Sequence, residues 1–322
     1  MNPSRRASPL LAALLTLLGA CAGSGHFQHA TISLVEAEKL LENGKAQANK
    51  VARALDMLQA IHVEQLDEID QQRYWIDLAT AHFMLGEYWD CFVTLRHFPR
   101  DFPSSNYLPK AEELEFNAGA RIAERGKNIL GIWRDLDDAV MILEHFLLYY
   151  PTSTYIPDTL RILGEAAWLD KKYDLAIDRF SELLEKDPRG IWRELATYRI
   201  AMAHFYKLTG PSYDLEALEA AKRELVTFLK TRIQNPKFLE KARKALAITL
   251  NWIDKKNLEI ADFYLRVSKP KSALIYLKKI LKRLDSKYRD QALDRLKKVE
   301  KMDPSLGTSA RVAKISTEGT AR

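Results

Sequence analysis

Apolar side chains recur along most of the chain at intervals of three and four residues, and no stretch alternates apolar with polar as a half-buried strand would. The pattern predicts helices almost throughout. In "YWIDLATAHFMLGEYWDCFVTLRHFPRDFP" it places Trp75, Leu78 and Ala79 on one face of a first helix, with Gly86 closing that helix. Cys91, Leu95 and Phe98 fall on one face of a second helix, and Pro103 ends the unit. Only 13 glycines and 12 prolines punctuate 322 residues, so long irregular segments are not expected.

The unit repeats. "TLRILGEAAWLDKKYDLAIDRFSELLEKDP" carries Leu163 and Gly164, then Tyr173, Ala176, Phe180, Leu183 and Pro188. "LDDAVMILEHFLLYYP" carries Ala139, Leu143, Phe146 and Pro151. In all three the interval from the small residue (Cys91, Ala139 or Ala176) to the proline is 12. Further small residues at Ala54, Ala221 and Ala273 mark weaker copies, and the six slots are 37, 48, 37, 45 and 52 residues apart. The longer gaps imply insertions around Glu124–Leu136 and Thr209–Leu218, or lengthened helices. The order Trp-x2-Leu, Gly, small residue, aromatic, Pro resembles the tetratricopeptide repeat. In such a repeat the small slot is where two helices touch, which makes Cys91 a packing residue. The expected fold is all-α, an α-solenoid of five to six tetratricopeptide-like helix pairs, whose concave face would bind extended peptides or other proteins.

One segment breaks the amphipathic pattern. Leu10–Ala20 is the one strongly hydrophobic run, follows Arg5 and Arg6, and ends in the small residues Gly19, Ala20, Cys21, Ala22 and Gly23. It is too short to span a bilayer, which takes about 20 apolar residues. A basic lead, a short apolar run and small residues describe a secretory signal peptide. Two cleavages are open. A cut after Ala22 suits ordinary signal peptidase, whereas Leu18-Gly19-Ala20-Cys21 resembles the bacterial lipobox, in which the cut precedes the cysteine and its thiol carries a diacylglycerol. The lipobox reading makes Cys21 the lipidation site and leaves Cys91, the only other cysteine, without a disulfide partner. Residues 1–20 are then signal peptide, 21–30 a lipid-anchored tether, 31–300 the repeat solenoid and 301–322 a disordered tail.

The C-terminal repeats carry a more specific likeness. "KNLEIADFYL" is followed by "SALIYLKKIL", placing Leu258, Ile260, Ala261, Phe263 and Tyr264 before Ala273 and Tyr276. "FLLYYPTSTYIPDTLRIL" places Tyr150, Pro151, Ser153 and Tyr155 between two helices. In this joint order, behind a lipobox, the chain resembles the BamD-type lipoproteins, also called ComL or YfiO. The glycine usual before Ala273 is replaced here by "SKPK". The resemblance implies a scaffold of the outer-membrane β-barrel assembly machinery, lipid-anchored on the periplasmic face of the outer membrane. Its implied partners are the barrel insertase, accessory lipoproteins and the extended signals of unfolded outer-membrane proteins. A pilotin-like or envelope-organising tetratricopeptide lipoprotein is the alternative.

Charge adds one candidate surface. Residues 222–300 hold 22 Lys and Arg against 9 Asp and Glu, a net of +13 in a chain whose net is +6. A solvated helical face accounts for such a run by itself. It also coincides with the part that, by resemblance, docks on the insertase, so Lys278, Lys279, Lys282 and Arg283 are taken as a basic partner-docking face. Nucleic acid is not an expected partner, because no nucleic-acid-binding motif is present and the chain is read as exported. The seven histidines form no HExxH, and no zinc-type cysteine pairs, phosphate loop or G-x-S-x-G occurs. No catalytic residue, metal site or cofactor is expected, and the protein is not read as an enzyme. His82 and His204 fall at aromatic packing positions of first helices, and Asp135, Asp137 and Asp138 suit a helix start.

Overall fold

The computed structural model describes residues 29–42, 47–126, 134–208, 210 and 214–306. They are all-α, with no strand among them. The chain divides into two compact units, Met1–Leu163 and Gly164–Arg322.

The first unit runs through α1 (29–42), α2 (Ala48–Gln59), α3 (Glu68–Leu85), α4 (Tyr88–Leu95), α5 (Phe98–Asp101), α6 (Leu108–Gly126) and α7 (Arg134–Tyr149). Its last element is the start of α8 (Ile156–Leu169), inside which the division falls. Helix α3 is buried on two sides. Tyr74, Leu78 and Ala81 pack with Leu34, Ala37 and Leu41 of α1 and Ala54 and Leu58 of α2. Ile76 and Ala79 pack with Cys91 and Leu95 of α4 and Ala111, Leu114 and Ala118 of α6. Leu78 and Ala79 therefore serve different neighbours rather than one face, because an inner helix of a stack must bury both its flanks; Trp75 reaches both clusters.

The second helix of this repeat is shorter than the sequence pattern implies. Helix α4 stops at Leu95, and Phe98 opens the separate α5. Pro99 is the cause: it has no N–H to bond the Leu95 carbonyl, and it sits in the first turn of α5, where none is needed. Phe98 still joins Cys91 and Leu95 in the core.

The second unit continues with α9 (Tyr173–Lys186), α10 (Arg193–Tyr206), α11 (Leu215–Leu229), α12 (Pro236–Arg266), α13 (Pro270–Leu281) and α14 (Arg289–Met302). At 31 residues, and so about 46 Å, α12 is twice the length of its neighbours. Its first half packs Ala242 and Ala245 against Tyr198 and Met202 of α10 and Phe228 of α11. Its second half packs Leu258 and Ala261 against α13 and α14. One continuous helix thus accounts for the 52-residue gap between Ala221 and Ala273. Ordered structure also passes the expected limit of 300: α14 ends at Met302, and Leu306 packs on the last cluster. At the other end α1 begins at residue 29, inside the stretch read as tether.

The six small slots, Ala54, Cys91, Ala139, Ala176, Ala221 and Ala273, lie on α2, α4, α7, α9, α11 and α13, and each is fully buried. Across from two of them the partner helix supplies a glycine. A Cβ at Gly164 on α8 would lie 2.8 Å from Phe180 Cζ on α9, and one at Gly119 on α6 would lie 2.8 Å from Leu143 Cδ2 on α7. The helices there cross too closely for any side chain.

The turn inside a helix pair is built the same way three times. After α3, α8 and α12, a left-handed residue (Gly86, Lys171 or Ser268) closes the helix. The following N–H reaches back five residues, from Glu87 to His82 O, from Lys172 to Ala167 O and from Lys269 to Tyr264 O, each at 2.9 Å. A second recurring joint lies between pairs: the Tyr107, Tyr155 and Tyr288 N–H groups donate to Ser105, Ser153 and Ser286 Oγ at 3.0, 3.0 and 3.2 Å.

Candidate docking surface

Helix α13 sorts its residues cleanly. Ala273, Leu274, Leu277, Ile280 and Leu281 are buried, whereas Lys271, Ile275, Lys278, Lys279 and Lys282 are exposed. Lys271, Ile275, Lys278 and Lys282 follow one another at helical spacing along a single outer stripe without an acid. Lys279 turns its ammonium over the Tyr276 ring, 5.1 Å from the centroid, and Tyr276 stacks on Tyr264 of α12.

Arg283 does not belong to that open face. Its side chain is 21% exposed and turns inward, with Nη1 3.1 Å from Asp254 Oδ2 and Nε 3.2 Å from Asp285 Oδ1. Asp254, on α12, is buried and also accepts from the Ser286 hydroxyl at 2.5 Å. Burial raises the Asp254 carboxyl, against the opposing pull of Ser286 and Arg283. The reason for the correction is steric: Arg283 lies beyond the end of α13, where the turn toward α14 brings it over Asp254. The candidate basic face therefore reduces to Lys278, Lys279 and Lys282, extended by Lys271. Of the residues that carry the resemblance on α12, Leu258 and Ala261 are buried, whereas Phe263 is half exposed.

In the first unit a cleft of about 340 Å³ is lined by Trp75, Val93, Phe98 and Phe102, with Gln71 and Arg96 at its polar edge. Its apolar wall comes from three successive elements, α3, α4 and α5, which is why no single helical pattern revealed it.

Buried ionisable groups cluster nearby. Glu115 on α6 is fully buried, and its Oε1 lies 2.6 Å from His145 Nδ1 on α7. His145 Nε2 lies 3.0 Å from the Arg96 carbonyl oxygen. The imidazole thus lies between two oxygen atoms, one from a side chain of α6 and one from the backbone after α4. Burial raises the Glu115 carboxyl, opposed by His145. No motif points to the pair, because the two residues are 30 positions apart on separate helices. Burial, then the Glu115 charge, pushes the Cys91 thiol up to about 12, which leaves it an inert packing group.

His82, Glu87 and Asp90 bring one ligand atom each within 4.8 Å of one another, the one such group of three or more found among the described residues. His82 Nδ1 already pairs with Glu87 Oε2 at 2.7 Å. Arg125, bonded to the Gly86 carbonyl at 3.1 Å and lying over the Tyr88 ring, puts a competing positive charge on the same turn. His82 is thus a polar bridge between α3 and α4 rather than an aromatic filler. His204 is half-buried, and burial lowers its pKa. Cys21 lies outside the described residues, as does the side chain of Asp135.

Close-packed helix pairs, with a lysine stripe on α13 and an apolar cleft in the first unit, define a helical-repeat protein. A family model described as "YfiO: Outer membrane lipoprotein" matches residues 132–314, more than half of the chain. The protein belongs to that family of outer membrane lipoproteins. No curated protein matches it. No helix among the described residues is long and apolar enough to cross a membrane.

Proposed function

We propose that the protein is a scaffold of the outer-membrane β-barrel assembly machinery, tethered to the periplasmic face of the outer membrane through a lipid on Cys21. It has no catalytic step of its own. It docks on the barrel insertase and accessory lipoproteins with the lysine stripe of α13, and it receives extended substrate segments in the first unit. The observation that carries this reading is the match to the outer membrane lipoprotein family over a region that includes the whole of α13, whose exposed stripe holds lysines and one isoleucine but no acid. Lysines on a rim accelerate encounter with an acidic partner without demanding a rigid interface.

A photocrosslinking residue at Lys278 in living cells tests the proposal. The expected adduct is with a periplasmic domain of the insertase or an accessory lipoprotein. A crosslink to a secretin instead, or no protein adduct at this position while one at an unrelated exposed residue forms normally, would contradict it.

A further inference from the structure

The turn between α9 and α10 and the turn between α11 and α12 meet in the second unit and enclose a cleft of about 360 Å³. Arg189, Arg193 and Arg232 line it, and all three are exposed. None of them forms an ion pair or side-chain hydrogen bond with a described residue. The one acid in the lining, Glu194, is already engaged. Its two carboxylate oxygens accept the backbone N–H groups of Gln234 at 3.0 Å and Asn235 at 2.8 Å. Those bonds fasten the second turn to α10, so the cleft is held open by the fold and not by the arginines. Ile191, on its rim, is 84% exposed, the most exposed of the large apolar residues among those described.

We infer that this cleft binds an acidic stretch of a partner polypeptide, with carboxylates on the guanidiniums and an apolar side chain against Ile191. Planar guanidinium forks bind carboxylates in pairs of hydrogen bonds. At the entrance to α12 a phosphate would draw on free N–H groups, and there Glu194 has taken those of Gln234 and Asn235. A flat lipid surface would meet protruding cations, whereas these line a concavity. An apolar side chain standing in water beside three unpaired cations is the composition of an interface anchor and its rim. The inference does not depend on the α13 stripe, because no residue of α13 lines the cleft.

The test uses the purified full-length protein and a fluorescein-labelled peptide of alternating Glu and Leu, with its Gln counterpart as control. Binding is followed by anisotropy at two salt concentrations. The variant Arg189→Gln/Arg193→Gln/Arg232→Gln should bind the acidic peptide at least about tenfold more weakly, at unchanged helical content. The Gln peptide should lose as much with the wild type. Lys298→Gln/Lys301→Gln, on exposed lysines of α14 that do not line the cleft, should leave the affinity unchanged, which separates this cleft from a general attraction to basic charge. Single Arg193→Gln and Arg232→Gln variants give the same answer if the triple loses helix. No binding of the acidic peptide, equal binding by the arginine variant, or capture of phosphatidylglycerol vesicles or inorganic phosphate in preference to the peptide would overturn the inference.

Discussion

Asp77 on α3 lies among Glu38 and Glu42 of α1 and Arg73, which is itself held by Glu38 at 2.5 Å and Asp70 at 2.9 Å. The buried Asp77 Oδ2 has no hydrogen-bond partner among the described residues. Burial, then the Glu38 charge, lifts its pKa from 3.8 to about 7. A raised carboxyl stabilises the fold fully below its unfolded pKa and loses that contribution as pH rises through the folded one, here between about 4 and about 7. Asp77→Asn should remove this slope and leave the variant more stable than wild type above pH 7, by on the order of 1–3 kcal/mol. Parallel denaturant curves for the two proteins across pH 4–8 check it. Arg283 gives the opposite case. Arg283→Met would strand the buried Asp254 carboxylate and should cost about 3–5 kcal/mol, whereas Lys278→Met, on an exposed lysine, should cost under about 0.5. Equal midpoints for these two would contradict the inward placement of Arg283. Neither Asp254 nor Arg283 announced this role in sequence, since a basic run reads identically whether its members face water or a carboxylate 29 residues upstream.

At the scale of elements, the helix pair is the unit that sequence makes legible. Cys91, Ala139 and Ala176 stand 12 residues before a proline, and each is fully buried on the second helix of its pair. The reason is physical: a close crossing admits only a small residue, and a close crossing recurs in every pair. What the pattern could not give was where helices break or fuse. Pro99 splits one helix while Pro109, in the first turn of α6, is tolerated, and nothing in "LNWIDKKNLEIAD" marks the junction of two packing environments within α12. Lys171 and Ser268 adopt the left-handed conformation that Gly86 adopts freely, so the missing glycine before Ala273 changes the cost of the turn and not its shape. The crossing geometry itself can be tested. In an open helix Gly→Ala stabilises by about 0.5–1 kcal/mol, but Gly164→Ala should destabilise, because the new methyl meets the Phe180 ring. Ala176→Leu should likewise cost about 1–3 kcal/mol by overpacking. A double-mutant cycle of Gly164→Ala with Phe180→Leu should show a coupling of at least about 0.5 kcal/mol in the relieving direction; additive effects would mean that the two residues do not touch.

The whole molecule combines an outer membrane lipoprotein family match, two helical units and a lysine stripe on α13. Two attachments follow from the proposed function, one to membrane and one to protein. For the first, Cys21→Ser should release the protein from the membrane fraction after detergent-free washing, because two acyl chains hold where one is marginal. A wild-type mature N-terminus at Gly23, or an equally membrane-bound Ser variant, would contradict a lipid anchor. For the second, attraction between exposed charges is screened within about 8–10 Å at physiological salt, so a docking stripe of exposed lysines must act mainly on the rate of encounter. The most direct measurement is the association rate constant for the insertase's periplasmic domains against ionic strength, for wild type and for Lys278→Glu/Lys279→Glu/Lys282→Glu. Arg283 is kept, so that the fold survives. The account predicts a wild-type rate that falls steeply with salt, and a charge-reversed variant that is slower by about tenfold or more at low salt and converges on wild type at high salt. Equal rates with no salt dependence in either protein would contradict it.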